Sequence, residues 1–256
     1  SWLGRPVPWF FEPTYDRLEI VPLIAGWENA HSGFGFLEMG ETQDHGRPFP
    51  HALNFDAIAH ETGHLILMGI AGTPRGTAGP DFFADHEAAA DMVALLGLLQ
   101  FDTAMDRMLR RTRGNLLVHN ELDRFAETSD ERRVRSFSNS LKLSDVGAEV
   151  HDRSKPFAGA LFDALLEIHQ TLAFERGLSE LDPRAFRDLR RELPEADLRR
   201  ALEGTDGDYA LRHFGLKAAL AEARDLVGEA LLGSWPTLDP DTLGFATAAE
   251  AFLASA

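Results

Sequence analysis

The sequence predicts an α+β fold: a small N-terminal strand region with an edge strand, followed by a mostly α-helical C-terminal body. Three observations carry this. The first 50 residues are rich in Pro, Gly and aromatics, with short apolar runs between turn signals. From His51 onward, apolar residues recur at helical spacing. No internal repeat or low-complexity segment breaks the pattern.

The elements follow in order. "RLEIVPLIAGW" (17–27) and "GFGFLEMGE" (33–41) read as short strands separated by turns. "HALNFDAIAHETGHLILMGI" (51–70) reads as a helix, with Asn54 and Asp56 near its start. "TPRGTAGP" breaks the chain, and "DFFADHEAAADMVALLGLLQF" (81–101) reads as a second helix, Ala- and Leu-rich and buried. Polar helices are predicted near 103–111 and 120–127. "KPFAGALFDALLEIHQTLAFER" (155–176) reads as a long amphipathic helix with Pro156 in its first turn, where a missing N–H costs little. From Asp182 to the end, several more helices are split by Pro and Gly.

Composition narrows the function classes. The 256 residues suffice for a real core, with 44% hydrophobic and 26% charged residues. The formal net charge of -16 disfavours binding to nucleic acid phosphates and anionic membranes. No apolar run approaches the roughly 18 residues of a membrane span. With no cysteine, disulfides and thiolate metal sites are excluded, so any metal must be held by His, Asp or Glu. The chain opens "SWLGRP", with no initiator Met, basic leader or apolar signal core, which leaves the compartment open. Nothing in the sequence speaks to oligomeric state.

The chemistry concentrates in "HETGH". His60 and His64 are four apart, roughly 400° around a helix, so they share a face and can reach one ion. Glu61 sits about 60° around the axis from His64, beside such an ion but not on it. A carboxylate there can act as general base on a metal-bound water. With 10 His and 20 Glu in the chain, a shuffled composition gives only roughly 0.03 matches to this pattern. The competing reading is a helix with incidental surface histidines, but the apolar flanks "AIA" and "LILMG" would bury them. A buried His pair without a partner is costly. A catalytic zinc usually has three protein ligands plus water. The second helix offers Glu87 and Asp91, four apart on one face: one carboxylate to ligate, one to orient a ligand histidine. Ala88, Ala89 and Ala90 between them would let two helices pack closely. Glu87 could instead be a helix N-terminal acid favoured by the macrodipole, and His86 and Asp85 are competing ligands.

HETGH followed by EAAAD resembles the thermolysin-like (gluzincin) zinc metalloproteases, which use HExxH and then ExxxD. The resemblance touches roughly residues 27–170. "VRSFSN" (134–139) is similar to the family segment whose arginine binds a substrate carbonyl, which implies that role for Arg135. "EVHDRS" (149–154) resembles a VHxxS segment whose histidine supports the oxyanion, which implies His151. "ENAHSGFGF" resembles the edge strand and Asn-Ala turn lining the substrate cleft, which implies Asn29 and Ala30. The bland readings are a surface arginine in "ERRVR", a helix-end histidine and a turn asparagine. The chain also departs from the family. The oxyanion tyrosine of the family is matched by Arg75, only Tyr15 and Tyr209 occur, and 59 residues precede His60 where the family has a large β domain.

The resemblance implies a zinc metallopeptidase, most simply an endopeptidase. One Zn²⁺ would sit on His60, His64 and Glu87, with Glu61 as base, His151 as oxyanion donor and Asp91 behind His60. A peptide or protein substrate would lie extended along 33–38 by β-augmentation. Residues 1–110 would hold the strands and zinc-binding helices, and 111–256 a mainly helical part carrying Arg135 and His151. Export is favoured by the resemblance alone. Two rivals remain. One is an aminopeptidase or other narrow-substrate zinc hydrolase using Glu28 or Glu38 to hold a free amine; the other is a zinc-stabilised binding module without turnover. Calcium is not expected. Asp56 matches one acid of the family's calcium site, but the other position, eleven residues after Glu87, is Leu98. Calcium wants six to eight oxygen ligands.

Overall fold

The structure, a computed structural model, describes residues 2–44, 46–116, 122, 124–129, 132–185 and 209–256. Among these, helices hold the majority and strands form small sheets, so the fold is mixed α+β with a helical majority. Strands β1 (Glu19–Val21), β2 (Ala30–Gly33) and β3 (Phe36–Met39) form a three-stranded sheet in the order β1-β3-β2. β3 runs parallel to β1 and antiparallel to β2, with Ala30 opposite Met39 and Gly33 opposite Phe36. The β2–β3 turn needs Gly35, whose φ is +86° and whose added Cβ would strike the Tyr15 ring at 2.8 Å. β4 (Glu41–Asp44) and β5 (Arg47–Pro50) form a hairpin.

This order corrects the expected docking edge. Residues 33–38 span the end of β2, the turn and the start of β3, and β3 is the central strand, paired on both sides. Its N–H and C=O groups are already committed to two neighbours. The two edge strands of this sheet are β1 and β2, and of these β2 lines the cleft.

Helix α1 (Phe55–Ala71) begins where the Asn54 side-chain oxygen accepts from the amides of Asp56 (2.9 Å) and Ala57 (3.4 Å). It is wedged between two cores. On one side Leu65 packs with Leu37, Met39 and Phe11 of the strand region. On the other, Leu67 joins the main helical core. Helix α2 (Pro80–Leu98) starts with proline at its first position, pre-set for a helix, and is buried along most of its length. The two helices nearly touch: a Cβ at Gly63 would lie 2.8 Å from the Cα of Ala90 and 3.2 Å from its Cβ. Any larger residue at 63 would push the helices apart.

Helix α3 (Asp102–Thr112) follows and ends at Arg113, in the left-handed region with φ 53°. The polar helix expected at 120–127 is corrected. Residues 120, 121 and 123 lie outside the described residues, and β6 (Arg124–Ser129) forms a hairpin with β7 (Arg132–Ser136). The backbone register sets Glu127 opposite Arg133, a pairing that exists only once the second strand is present. Helix α4 runs from Val150 to Glu175, starting five residues before the predicted boundary. Glu149 caps it by accepting from the Asp152 amide, which places Pro156 inside the helix rather than in its first turn. Helices α5 (Tyr209–Ser234) and α6 (Phe245–Ser255) complete the body. The main core draws Leu67, Leu96, Phe162, Leu220 and Trp235 into one cluster, so it joins both halves of the chain. No single described helix is long and apolar enough to cross a membrane.

Candidate metal centre

The close approach at Gly63 and Ala90 sets α1 and α2 face to face one turn from three polar side chains. His60 Nε2 and His64 Nε2 lie 3.2 Å apart. Glu87 Oε2 is 3.3 Å from His60 Nε2, and Glu87 Oε1 is 3.5 Å from His64 Nε2. Zinc bonds of about 2.0–2.2 Å in tetrahedral geometry separate ligand atoms by about 3.3 Å. The two imidazole nitrogens stand at that spacing, and the Glu87 carboxylate faces each of them with a different oxygen, so one ligand atom from each residue lies within 4.8 Å of the others. Among the described residues, they are the one group of His, Asp or Glu close enough to share an ion.

Asp91, one turn beyond Glu87, is 2% exposed, and its Oδ1 lies 2.7 Å from the other ring nitrogen of His60. That carboxylate fixes which nitrogen of His60 faces the cluster. Glu61 is buried and, with His60, His64 and Glu87, lines a cleft of about 1060 Å³. His86 also lines this cleft and stacks near His64, with ring centroids 5.9 Å apart, but it stands outside the three-residue group. Burial pushes its imidazole down to about 4, so it is neutral at pH 7, and pushes the neighbouring Asp85 carboxyl up to about 7.

His151 comes from the first turn of α4, with Nε2 3.4 Å from Glu87 Oε2 and Nδ1 2.8 Å from Glu149 Oε1. Partial burial pushes the Glu149 carboxyl up, but hydrogen bonds from His151 and the Asp152 amide more than offset this and hold it below the usual carboxylate range. Asn29 and Ala30 line the cleft at the start of β2. The Asn29 side chain accepts from the Ala30 amide (3.0 Å), and its carbonyl accepts from Gly40 (2.8 Å).

Two residues that the sequence offers only as alternatives fall outside the cleft lining. Arg75 is not among the cleft-lining residues; its guanidinium and its amide both reach Asp241, at 2.6 and 2.7 Å. That pair directs the Arg75 side chain to the C-terminal turn. Glu38 faces His31 at 3.6 Å on β3 and is absent from the cleft, whereas Glu28 lines it. Arg135 lies on β7 opposite Phe125, and its side chain is outside the described residues.

Sequence reasoning missed His51. Its ring lies 2.6 Å from Thr42 Oγ1 and 3.1 Å from the Asn29 carbonyl, tying β4 to the start of β2. It also missed Arg153, which donates to Asp81 at 2.5 Å and couples the His151 turn to the start of α2. Neither carries a motif signal, since each depends on a partner distant in sequence. No family model, curated protein or solved structure matches the chain.

Proposed function

We propose that the protein is a zinc-dependent metallopeptidase of thermolysin-like character, cleaving peptide bonds within an extended substrate. One observation carries this reading: His60, His64 and Glu87 each offer a ligand atom within 4.8 Å of the other two, with a buried glutamate next to the first of them in a large cleft. His60, His64 and Glu87 would hold the ion, and Asp91 would fix the His60 ring. Bound there, zinc supplies a Lewis acid for the scissile carbonyl and lowers the pKa of a water. Glu61 takes the proton from the attacking water and passes it to the leaving amine. His151 donates to the carbonyl oxygen as negative charge builds on it. The substrate pairs with β2, the terminal strand at the cleft, rather than with β3.

The test is Glu61→Gln, with zinc content and peptide cleavage measured on the same sample. Zinc should stay bound while kcat falls by about 10²–10⁴, the usual loss of a general base. Near-wild-type turnover would sink the mechanism, and absence of turnover in the zinc-loaded wild type would favour a binding module. Glu28 in the cleft supports a second reading, an aminopeptidase that holds a free amine. Blocked and unblocked versions of one peptide separate the two.

A further inference from the structure

The loop between α1 and α2 forms one wall of the cleft through Thr73, Pro74, Gly76 and Ala78. It carries Gly72, with φ +86°, Gly76 and Gly79, so its backbone is intrinsically loose. Among the described residues, the amides of 73–78 meet no backbone carbonyl. What anchors them comes from the far end of the chain. The Asp241 carboxylate accepts from the Arg75 amide (2.7 Å) and from Arg75 Nε (2.6 Å), bonds that hold its carboxyl below the usual range, with the nearby Gly76 amide adding to the effect. Arg75 Nη2 lies 2.6 Å from the same carboxylate. The turn that carries Asp241 is itself fixed, with Thr242 bonded back to the Asp239 carbonyl. Two residues on, Leu243 is buried against Phe82, which also lines the cleft.

We propose that Asp241 is a positioning residue for substrate binding: the C-terminal turn clasps the glycine-rich wall of the cleft and holds it in the shape that receives the peptide. This rests on the metallopeptidase reading for the ligand, but the clasp is a property of the loop and can be measured without turnover. Asp241 gathers donors from both the side chain and the backbone of Arg75, so the two partners are not equivalent. Arg75→Ala removes only the guanidinium. Asp241→Ala removes the anchors on both the guanidinium and the amide at once, leaving only the apolar packing of Ala78. Charge-assisted bonds to backbone amides are the stronger component, and the exposed guanidinium pair is the weaker, salt-screened one.

The experiment uses the zinc-loaded full chain. Amide exchange across 72–79 and the affinity of a peptide hydroxamate, a zinc-directed probe, are measured for wild type, Arg75→Ala, Asp241→Ala and Asp241→Glu. Zinc affinity is followed in parallel. Asp241→Ala should speed exchange at Arg75 and Gly76 by about tenfold and weaken the hydroxamate by a similar factor. Arg75→Ala should cost about threefold or less. Asp241→Glu should recover part of the loss, and zinc affinity should stay constant throughout. Unchanged exchange in Asp241→Ala overturns the clasp, as does equal damage by Arg75→Ala. A fall in zinc affinity matching the fall in hydroxamate affinity also overturns it, because the residue would then serve the whole fold. If the zinc-loaded wild type fails to bind the hydroxamate, the peptidase reading fails, and the exchange data still decide the clasp.

Discussion

His60–Asp91 and His151–Glu149 are the same chemical pair in opposite surroundings. In the first, the side chains are 7% and 3% exposed; in the second, 56% and 58%. The separations are nearly equal, 2.7 and 2.8 Å. Water cannot replace Asp91, so its loss leaves a buried ring nitrogen without its acid. Water and salt can replace much of Glu149. The inner pair therefore fixes geometry, while the outer pair tunes a side chain that can still move.

This contrast can be broken in order of severity. Glu87→Ala should do most damage, since one of the three proposed ligands disappears; competition with a chelator of known affinity should show metal binding falling by more than about 100-fold, beyond the usual cost of losing a supporting partner. His86→Ala is its control. Should that change be the more harmful, the third ligand is His86. His151→Ala comes next, with kcat lowered by about 10² and KM little changed, because the hydrogen bond proposed for it would strengthen only as charge develops. A pure KM effect would make His151 a ground-state contact.

Asp91→Ala and Glu149→Gln sharpen the comparison directly. The first should weaken metal binding by about 10–100-fold at any salt concentration. The second should change kcat/KM by only about two- to fivefold, and the effect should shrink further in high salt. Equal effects, or a salt-sensitive Asp91 variant, would mean that burial does not distinguish the pairs.

The same division governs what the sequence reveals. Helices α1 and α2 were legible because periodicity and capping are local: Asn54 caps within three residues, and Ala88–Ala90 announce close packing without reference to any partner. The grouping of His60, His64 and Glu87 was legible because helix geometry fixes the spacing on each side. The rest depends on distant partners. Residues 124–129 carry charges that suit either a helix or a strand, and only the pairing with 132–136 selects the strand. That β3 is the central strand could not be read from 33–38, because it depends on β3 inserting between β1 and β2. Arg75 was assigned by alignment to a pattern, whereas its fate is set by an aspartate 166 residues away.

The wedged position of α1 has a thermodynamic consequence. Its two flanks belong to separate apolar clusters, and its neighbour α2 belongs to the larger one. An ion held by His60, His64 and Glu87 would rivet the small cluster to the large one through α1, in a chain with no disulfide to do so. Such an ion binds the native state and not the dispersed ligands of the unfolded chain. At 100 times its dissociation constant it would raise stability by about 2.7 kcal/mol. Melting would then depend on free metal concentration, and stripping the ion would loosen the strand region from the helical body before the body itself gave way.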